Sequence, residues 1–418
     1  MATAAVNAAP LDGVVYAPPA RQRIDSIDLL RGLVMVIMLL DHTRDYFSAE
    51  QFQFDPTNLD RTSIALFLTR WITHFCAPVF VFLAGTGAYL RLARGGTPKE
   101  LSWFLVSRGA WLIVLELTVF RVLITFDILP RGTFFGQVIW ALGWSMIVLA
   151  ALVHLPLRLT AAFGVVMILV HNAFDGIKVA PCVPGQPVCS PEDMLIRVLH
   201  VQGPIFFSSD GPPMFLVVYP LIPWIGVMAA GYAFGRLYTM DAADRRRILL
   251  RLGSALVVLF VVLRATNLYG DPNEWSVQPR GAAFTALSFL NLTKYPPSLL
   301  YLCMTLGPAI LLLASLERER RGRLGMALVH FGRVPLLFYV LQWVYAHGGA
   351  YVAHVVAGKP TDGLFIFHNN PPEVLAQTGF PLPVVYVVWM VGVLALYPIC
   401  RWYARYKATH MSPWLSYL

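Results

Sequence analysis

Charge is what this chain has least of. Lys, Arg, Asp and Glu make up 13% of its 418 residues, against about a quarter in soluble domains. The apolar residues, 57% of the total, gather in runs of about 20, the length that crosses a hydrocarbon core as a helix. A soluble globular fold is excluded, and helices are the default spanning element because lipid leaves no partner for irregular backbone. Other absences narrow the chemistry. The sequence has no glycine-rich phosphate loop, no zinc motif and no G-x-S-x-G nucleophile elbow. No internal repeat argues for an inverted duplication. Cysteines number five. Cys76, Cys303 and Cys400 lie in apolar runs and read as buried hydrophobes. Cys182 and Cys189 bound "CVPGQPVC", where an oxidising compartment would join them; two free thiols are the other reading. No Cys or His pair completes a metal site, so no metal is expected.

The fold class that follows is all-α, a polytopic membrane protein with about ten transmembrane helices. The expected spans are 27–47, 64–92, 101–127, 134–155, 158–175, 214–237, 246–267, 296–316, 325–347 and 383–406. Residues 1–22, "MATAAVNAAPLDGVVYAPPARQ", lack an apolar stretch and read as a disordered tail, not a signal peptide; 23–410 reads as one integral-membrane domain. The formal net charge of +9 does not point to nucleic acid, because the basic residues sit in short connections and not in an aromatic-interleaved patch. Arg21 and Arg23, Arg91, Arg94 and Lys99, Arg245 to Arg247, Arg318, Arg320, Arg321 and Arg323, and Arg401, Arg405 and Lys407 all fall on one side if the spans alternate. The positive-inside rule makes that side the cytoplasm, with both termini. The long loops 48–63, 176–213, 268–294 and 348–382 fall outside, rich in Pro, Gly and aromatics, as segments covering a cavity mouth would be.

Against this apolar background the polar residues of the first span stand out. Arg31 and His42 in "RGLVMVIMLLDHTRDYF" differ by about 20° around the axis and about 16 Å along it. Asp28 and Asp45 fall within roughly 60° of the same line, while Arg44 is expected on the far side, near the outer water boundary. Interfacial snorkelling and capping are the bland reading. The sharper one is a water-filled cavity, in which His42, with Asp41 and Asp45, is a general base oriented by a carboxylate. Arg70 and His74 share a face of the second span; His74 either packs as a core histidine or lines the same cavity. Glu116 and Arg121 are expected to pair inside the third span. Lys294 marks the outer mouth, Arg333 the cytoplasmic start of the ninth span, and Gln342 and His347 its outer end.

In order, the blocks "RIDSIDLLRGLVMVIMLLDHTRDYF", "LTRWITHFCAPVFVFLAG", "YPLIPWIGVMAAGYAFGRL", "SFLNLTKYPPSLLY", "FGRVPLLFYVLQW" and "LYPICRWYARYK" resemble the bacterial branch of the heparan-alpha-glucosaminide N-acetyltransferase catalytic-domain family. The first block is also similar to the opening helix of acyltransferase-3 membrane proteins. The resemblance implies transmembrane acyl transfer. Acetyl-CoA or another acyl-CoA would be the co-substrate, bound from the cytoplasm with Arg31 and Arg333 on the donor side. The acyl group would pass to a hydroxyl or amine, most naturally of a sugar, on the outer face. His42 would be the base or acyl-accepting residue, and Arg70 would stabilise the tetrahedral oxyanion. The animal lysosomal members carry a histidine in the loop after the first helix; "SAEQFQFDPTNLDRTS" here contains none. A proton-coupled secondary transporter using the same stripe and a structural membrane protein remain the other classes. The inner membrane, the lipid bilayer and a small-molecule or carbohydrate acceptor are the expected setting and partners; nucleic acid is not expected, and a homodimer is left open.

Overall fold

The computed structural model describes residues 24–126, 133–180, 189–208, 211–317, 322–365 and 370–410, with 412 and 415. The expected N-terminal tail and Cys182 lie outside the described residues. The first helix, α1 (Asp25–Phe47), runs through the centre of the bundle: sixteen of its 23 residues are buried, where a lipid-facing helix would bury about one stripe. Next come α2 (Ile64–Thr73) and α3 (Cys76–Ala93), one element broken at His74–Phe75. The helix α4 (Pro98–Leu115) starts in a capping box of Thr97 and Glu100. A π-helical turn, Glu116–Phe120, joins it to α5 (Arg121–Thr125).

The chain then forms β1 (Thr133–Gly136), α6 (Val138–Leu152), α7 (Leu157–Val170), α8 (Pro191–Leu199), β2 (Gly203–Ser208), β3 (Gly211–Val217) and α9 (Leu221–Phe234). It continues through α10 (Ala242–Thr266), α11 (Ala282–Leu290), α12 (Leu299–Leu316) and α13 (Arg323–Arg333). It ends in α14 (Pro335–Trp343), a second π-helical turn at Val344–Gly348, α15 (Gly349–Val356), α16 (Pro372–Gln377) and α17 (Leu382–Thr409).

Among the described residues, six helices are long and apolar enough to cross a bilayer: Ile64–Ala93, Pro98–Thr125, Leu157–Phe174, Ala242–Thr266, Leu299–Leu316 and Leu382–Thr409. The pair Arg323–Arg333 and Pro335–Val356, bent by 87°, adds a seventh if counted as one. The expected ten are therefore not all present as such, and each shortfall has a cause. The segment 27–47 carries charges at both ends. Residues 134–155 yield a helix of 15 residues, and 214–237 one of 14, because their first residues are strand. The segment 325–347 turns at Val334, whose φ of −130° is non-helical, since Pro335 disfavours a helical residue before it and cannot supply the i→i−4 bond.

The strands correct the all-helical expectation. β1 runs parallel to β3, and β2 antiparallel to it, in the order β1-β3-β2. Phe134, Phe135, Phe206 and Phe215 suit a pleated surface.

Glycines decide how closely the central helices approach. A Cβ on Gly32 of α1 would stand 1.8 Å from the Leu328 carbonyl oxygen of α13, and one on Gly332 of α13 would stand 1.8 Å from that of Asp28. Gly85 and Gly231 meet the facing backbone of α9 and α3 at 2.1 Å in the same sense. Such contacts let backbones pack directly where lipid offers no hydrophobic drive.

The loops at the far end of α1 are tied to one another. Arg264, buried at the end of α10, donates to the carbonyls of Asn273, Ser288, Phe289 and Asn291. Arg280 reaches the carbonyl of Thr62 at 2.9 Å, linking loop 267–298 to loop 48–63. The backbones of Ala49 and Phe380 are hydrogen-bonded at 3.0 Å, which adds the 357–381 segment.

Replacing Gly332 by Leu must push α13 off α1, at a cost of at least the roughly 1–3 kcal/mol of an overpacked core. Gly87→Ala, with nothing within 4 Å of the new Cβ, should be neutral or stabilising by about 0.5–1 kcal/mol. Thermal unfolding of the two variants in detergent should separate them in opposite directions; equal melting would mean that the helices do not touch at Gly332.

Candidate functional site

The last turns of α1 hold Asp41, His42, Arg44 and Asp45, and the neighbouring α2 decides which of them are paired. Asp41 is buried. Arg70 Nη1 donates to both of its carboxylate oxygens, at 2.8 and 2.9 Å. Thr73 Oγ1 donates to Oδ1 at 2.8 Å, and Arg44 Nη2 lies 2.9 Å from the same oxygen. Arg70 and Thr73 are one turn apart on α2, so one helix face presents two donors to one carboxylate. Arg44 is 1% exposed and also bonds Asp45 through Nη2. It therefore points into the protein and not, as expected, to the outer water boundary, because it turns towards Asp41 and Asp45. Its Nε and Nη1 are buried without a partner.

His42 is held differently. Its Nδ1 stands 3.5 Å from Asp45 Oδ2, just outside ordinary hydrogen-bond reach. The ring lies against Trp343 with centroids 3.9 Å apart and meets Tyr339 edge-on at 6.4 Å. The imidazole is thus oriented by stacking and by one carboxylate.

These residues surround a cavity of about 310 Å³. Its wall includes Met38, Asp41, His42, Arg44 and Asp45 of α1, Arg70 and Thr73 of α2, Cys76 of α3, Tyr219 before α9, Lys294 and Tyr295, and Tyr339 and Trp343 of α14. Asp55 of loop 48–63 also lines it and is exposed, so the cavity reaches the surface beside that loop. Lys294 is held on the opposite wall by Asp271, which accepts from Thr293 N at 2.8 Å and Ser298 Oγ at 2.6 Å and so brackets the lysine. Burial pushes the Asp271 carboxyl above its ordinary value, opposed by these hydrogen bonds.

Of the expected site residues, Asp41, His42, Asp45 and Arg70 come together here. His74 lies at the break behind Thr73 and Cys76. It is buried, its ring packs 5.3 Å from Tyr301, its carbonyl accepts from Tyr301 Oη at 2.8 Å, and it is outside the cavity lining. Arg31 and Arg333 meet at the other end of α1. There Arg31 pairs with Asp28 at 3.1 Å and Arg333 with Asp25 at 3.2 Å, and Arg31 donates to the Gly332 carbonyl. The cavity stops at Met38, short of both.

The expected Glu116–Arg121 pair does not form. The π-turn at Glu116–Phe120 shifts the register between them. Glu116 faces the backbone amides of Gln137, Ile139 and Trp140 at the start of α6, while Arg121 Nε donates to the Thr133 carbonyl at 2.9 Å. Gln342 is buried with Nε2 on Met38 Sδ at 3.2 Å. His347 is sandwiched between Tyr46 and Phe126 at 4.2 and 3.5 Å.

The aromatic wall was not foreseen, although Tyr339, Trp343 and His347 recur every four residues in "YVLQWVYAH", the spacing of one helix face. Thr73 had no signal beyond its place three residues after Arg70. Cys189 is disulfide-bonded, and Cys76, Cys303 and Cys400 are free and buried, as their apolar surroundings predict. Among the described residues no group of three His, Cys, Asp or Glu side chains could hold a metal ion.

A family model described as heparan-alpha-glucosaminide N-acetyltransferase, catalytic, matches residues 23–267, more than half of the 418-residue chain. The match spans α1 to α10. It includes Asp41, His42, Arg44, Asp45 and Arg70; Lys294, Arg333 and the α14 aromatics lie beyond it. No curated protein matches the chain.

Asp41→Ala would leave Arg70 and Arg44 buried without their shared carboxylate and should cost about 3–5 kcal/mol. Thr73→Val removes one hydrogen bond and should cost about 1 kcal/mol. Thermal unfolding of both variants checks the ranking; similar melting would mean that Asp41 is not the centre of the cluster.

Proposed function

The chain belongs to the heparan-alpha-glucosaminide N-acetyltransferase catalytic family, and from that premise we propose that it is a membrane acetyltransferase whose reaction takes place in the cavity beside His42. Membership suggests a membrane acetyltransferase, and the apolar helices agree with a multi-pass protein. The observation that carries the assignment of the site is the convergence, in one cavity, of an imidazole, a carboxylate 3.5 Å from its Nδ1 and two guanidinium groups.

Acetyl-CoA is the donor in this reading, and the acceptor is a hydroxyl or amine, most naturally of a sugar. Asp45 favours the tautomer with the proton on Nδ1, which leaves the Nε2 lone pair as the base. As the acceptor oxygen or nitrogen bonds to the thioester carbon, its proton passes to Nε2. The carbon–sulfur bond then breaks, and the imidazolium returns that proton to the leaving sulfur, so the acetylated acceptor and a free thiol depart with no net gain or loss of protons. Arg70 spends only Nη1 on Asp41 and Thr73, so its remaining donors are available to the tetrahedral oxyanion. Arg31 and Arg333, at the opposite end of α1, belong to the donor's entry side.

The distribution of basic loops supports an orientation with that end and both termini in the cytoplasm of a cell with an inner membrane. The disulfide at Cys189 supports an oxidising compartment for the opposite side. A proton-coupled carrier, the other class that a polar stripe admits, is not favoured by the family match.

The test is acetyl-CoA-dependent thiol release by the purified protein in lipid nanodiscs, with glucosamine as probe acceptor. His42→Ala should lower the rate by about 10²- to 10⁴-fold with unchanged thermal unfolding, and Asp45→Asn by less. Unchanged thiol release in His42→Ala would rule out the assigned base.

A further inference from the structure

Resting on the acetyl-transfer reading, we infer that the acceptor carries an anionic group, a carboxylate or a phosphate, which pairs with Lys294. Among the described residues, Lys294 is the cation of the cavity wall that no carboxylate reaches within ion-pair distance. Arg44 and Arg70 are compensated by Asp41 and Asp45. Lys294 is 9% exposed and lines the same cavity. Among the described residues it has no carboxylate within ion-pair distance and no side-chain hydrogen bond; its contact is with the Tyr295 ring, 5.2 Å from Nζ. Asp55, the remaining acid of the wall, is exposed and already accepts from the Thr57 amide and hydroxyl, each at 2.7 Å.

A buried charge without a partner is costly, and the lysine is not free to leave. Asp271 accepts from the Thr293 amide on one side of it and the Ser298 hydroxyl on the other, and Arg264 holds the loop through four carbonyls. A rigid loop that presents an ammonium without a direct ion pair to a cavity is a seat for an anion.

The position of the seat assigns the anion to the acceptor. Lys294 lies on the loop side, with Asp55 at the surface opening, whereas the donor's phosphates belong to the Arg31 and Arg333 end of α1 in the reading above.

Affinities of the full chain in nanodiscs for methyl glucuronide and glucose 6-phosphate, each against neutral methyl glucoside, test the seat, with coenzyme A measured in parallel. Wild type should prefer at least one anionic probe by about tenfold or more. Lys294→Met should lose that preference, Lys294→Arg should keep it, and all three proteins should bind coenzyme A alike. No preference in wild type, or one that survives in Lys294→Met, overturns the inference. Weaker coenzyme A binding in Lys294→Met overturns it too, by giving the lysine to the donor. Failure of wild type to bind coenzyme A would instead count against the acetyl-transfer reading, because the sugar comparison is read independently of it.

Discussion

The Asp41 carboxylate is the interaction on which this end of the molecule depends. It sits on the central helix, is largely buried, and takes donors from two arginines and a threonine at once. A buried acid alone would be expensive, and so would two buried guanidinium groups. Together they hold α2 against α1 and fix the wall that faces His42. Arg44 also reaches Asp45, so the carboxylate beside the imidazole is placed by the same cluster. The histidine is held more loosely, 3.5 Å from Asp45 and stacked on Trp343, which is what the proposed base requires.

The two ends of α1 are built to different purposes. At the Arg31 end, glycines bring α1 and α13 into backbone contact, and the charges close on each other as Asp25, Asp28, Arg31 and Arg333. At the His42 end the neighbouring α14 supplies aromatic rings instead of counter-charges, and loops tied by Arg264 and Arg280 cover a cavity. Both ends are polar; the first keeps a buried Arg333 Nε without a hydrogen bond, while among the described residues the second gathers its polar groups around a cavity. The cavity does not run the roughly 16 Å between them, so a donor arm entering from the Arg31 end would need the packing above Met38 to open.

Much of this was legible in the sequence. Helical spacing put Arg31 and His42 on one side of α1, and the apolar runs anticipated most of the helices. The i,i+4 pair Arg70 and His74 was half legible: the first residue enters the cluster, while the second falls at a break and turns to Tyr301, because the helix stops at Thr73. Arg44 was misread because a single helix does not reveal which neighbours cover its end. The small sheet was missed because "PPMFLVVYPLIPW" is apolar throughout, and such a run does not distinguish strand from helix by periodicity. The Glu116–Arg121 pair failed for a local reason, since a π-turn alters spacing that an ideal helix would keep. Lys294 was visible as an isolated cation, but its lack of a partner appears only once the fold places every acid nearby.

The most direct measurement is an experimental structure with a non-hydrolysable acetyl-CoA analogue bound. The account predicts the carbonyl carbon of the analogue within about 3.5 Å of the His42 ring, with the nucleotide on the Arg31 and Arg333 side. An analogue whose acetyl end lies away from His42, or whose nucleotide sits against Lys294, would contradict it.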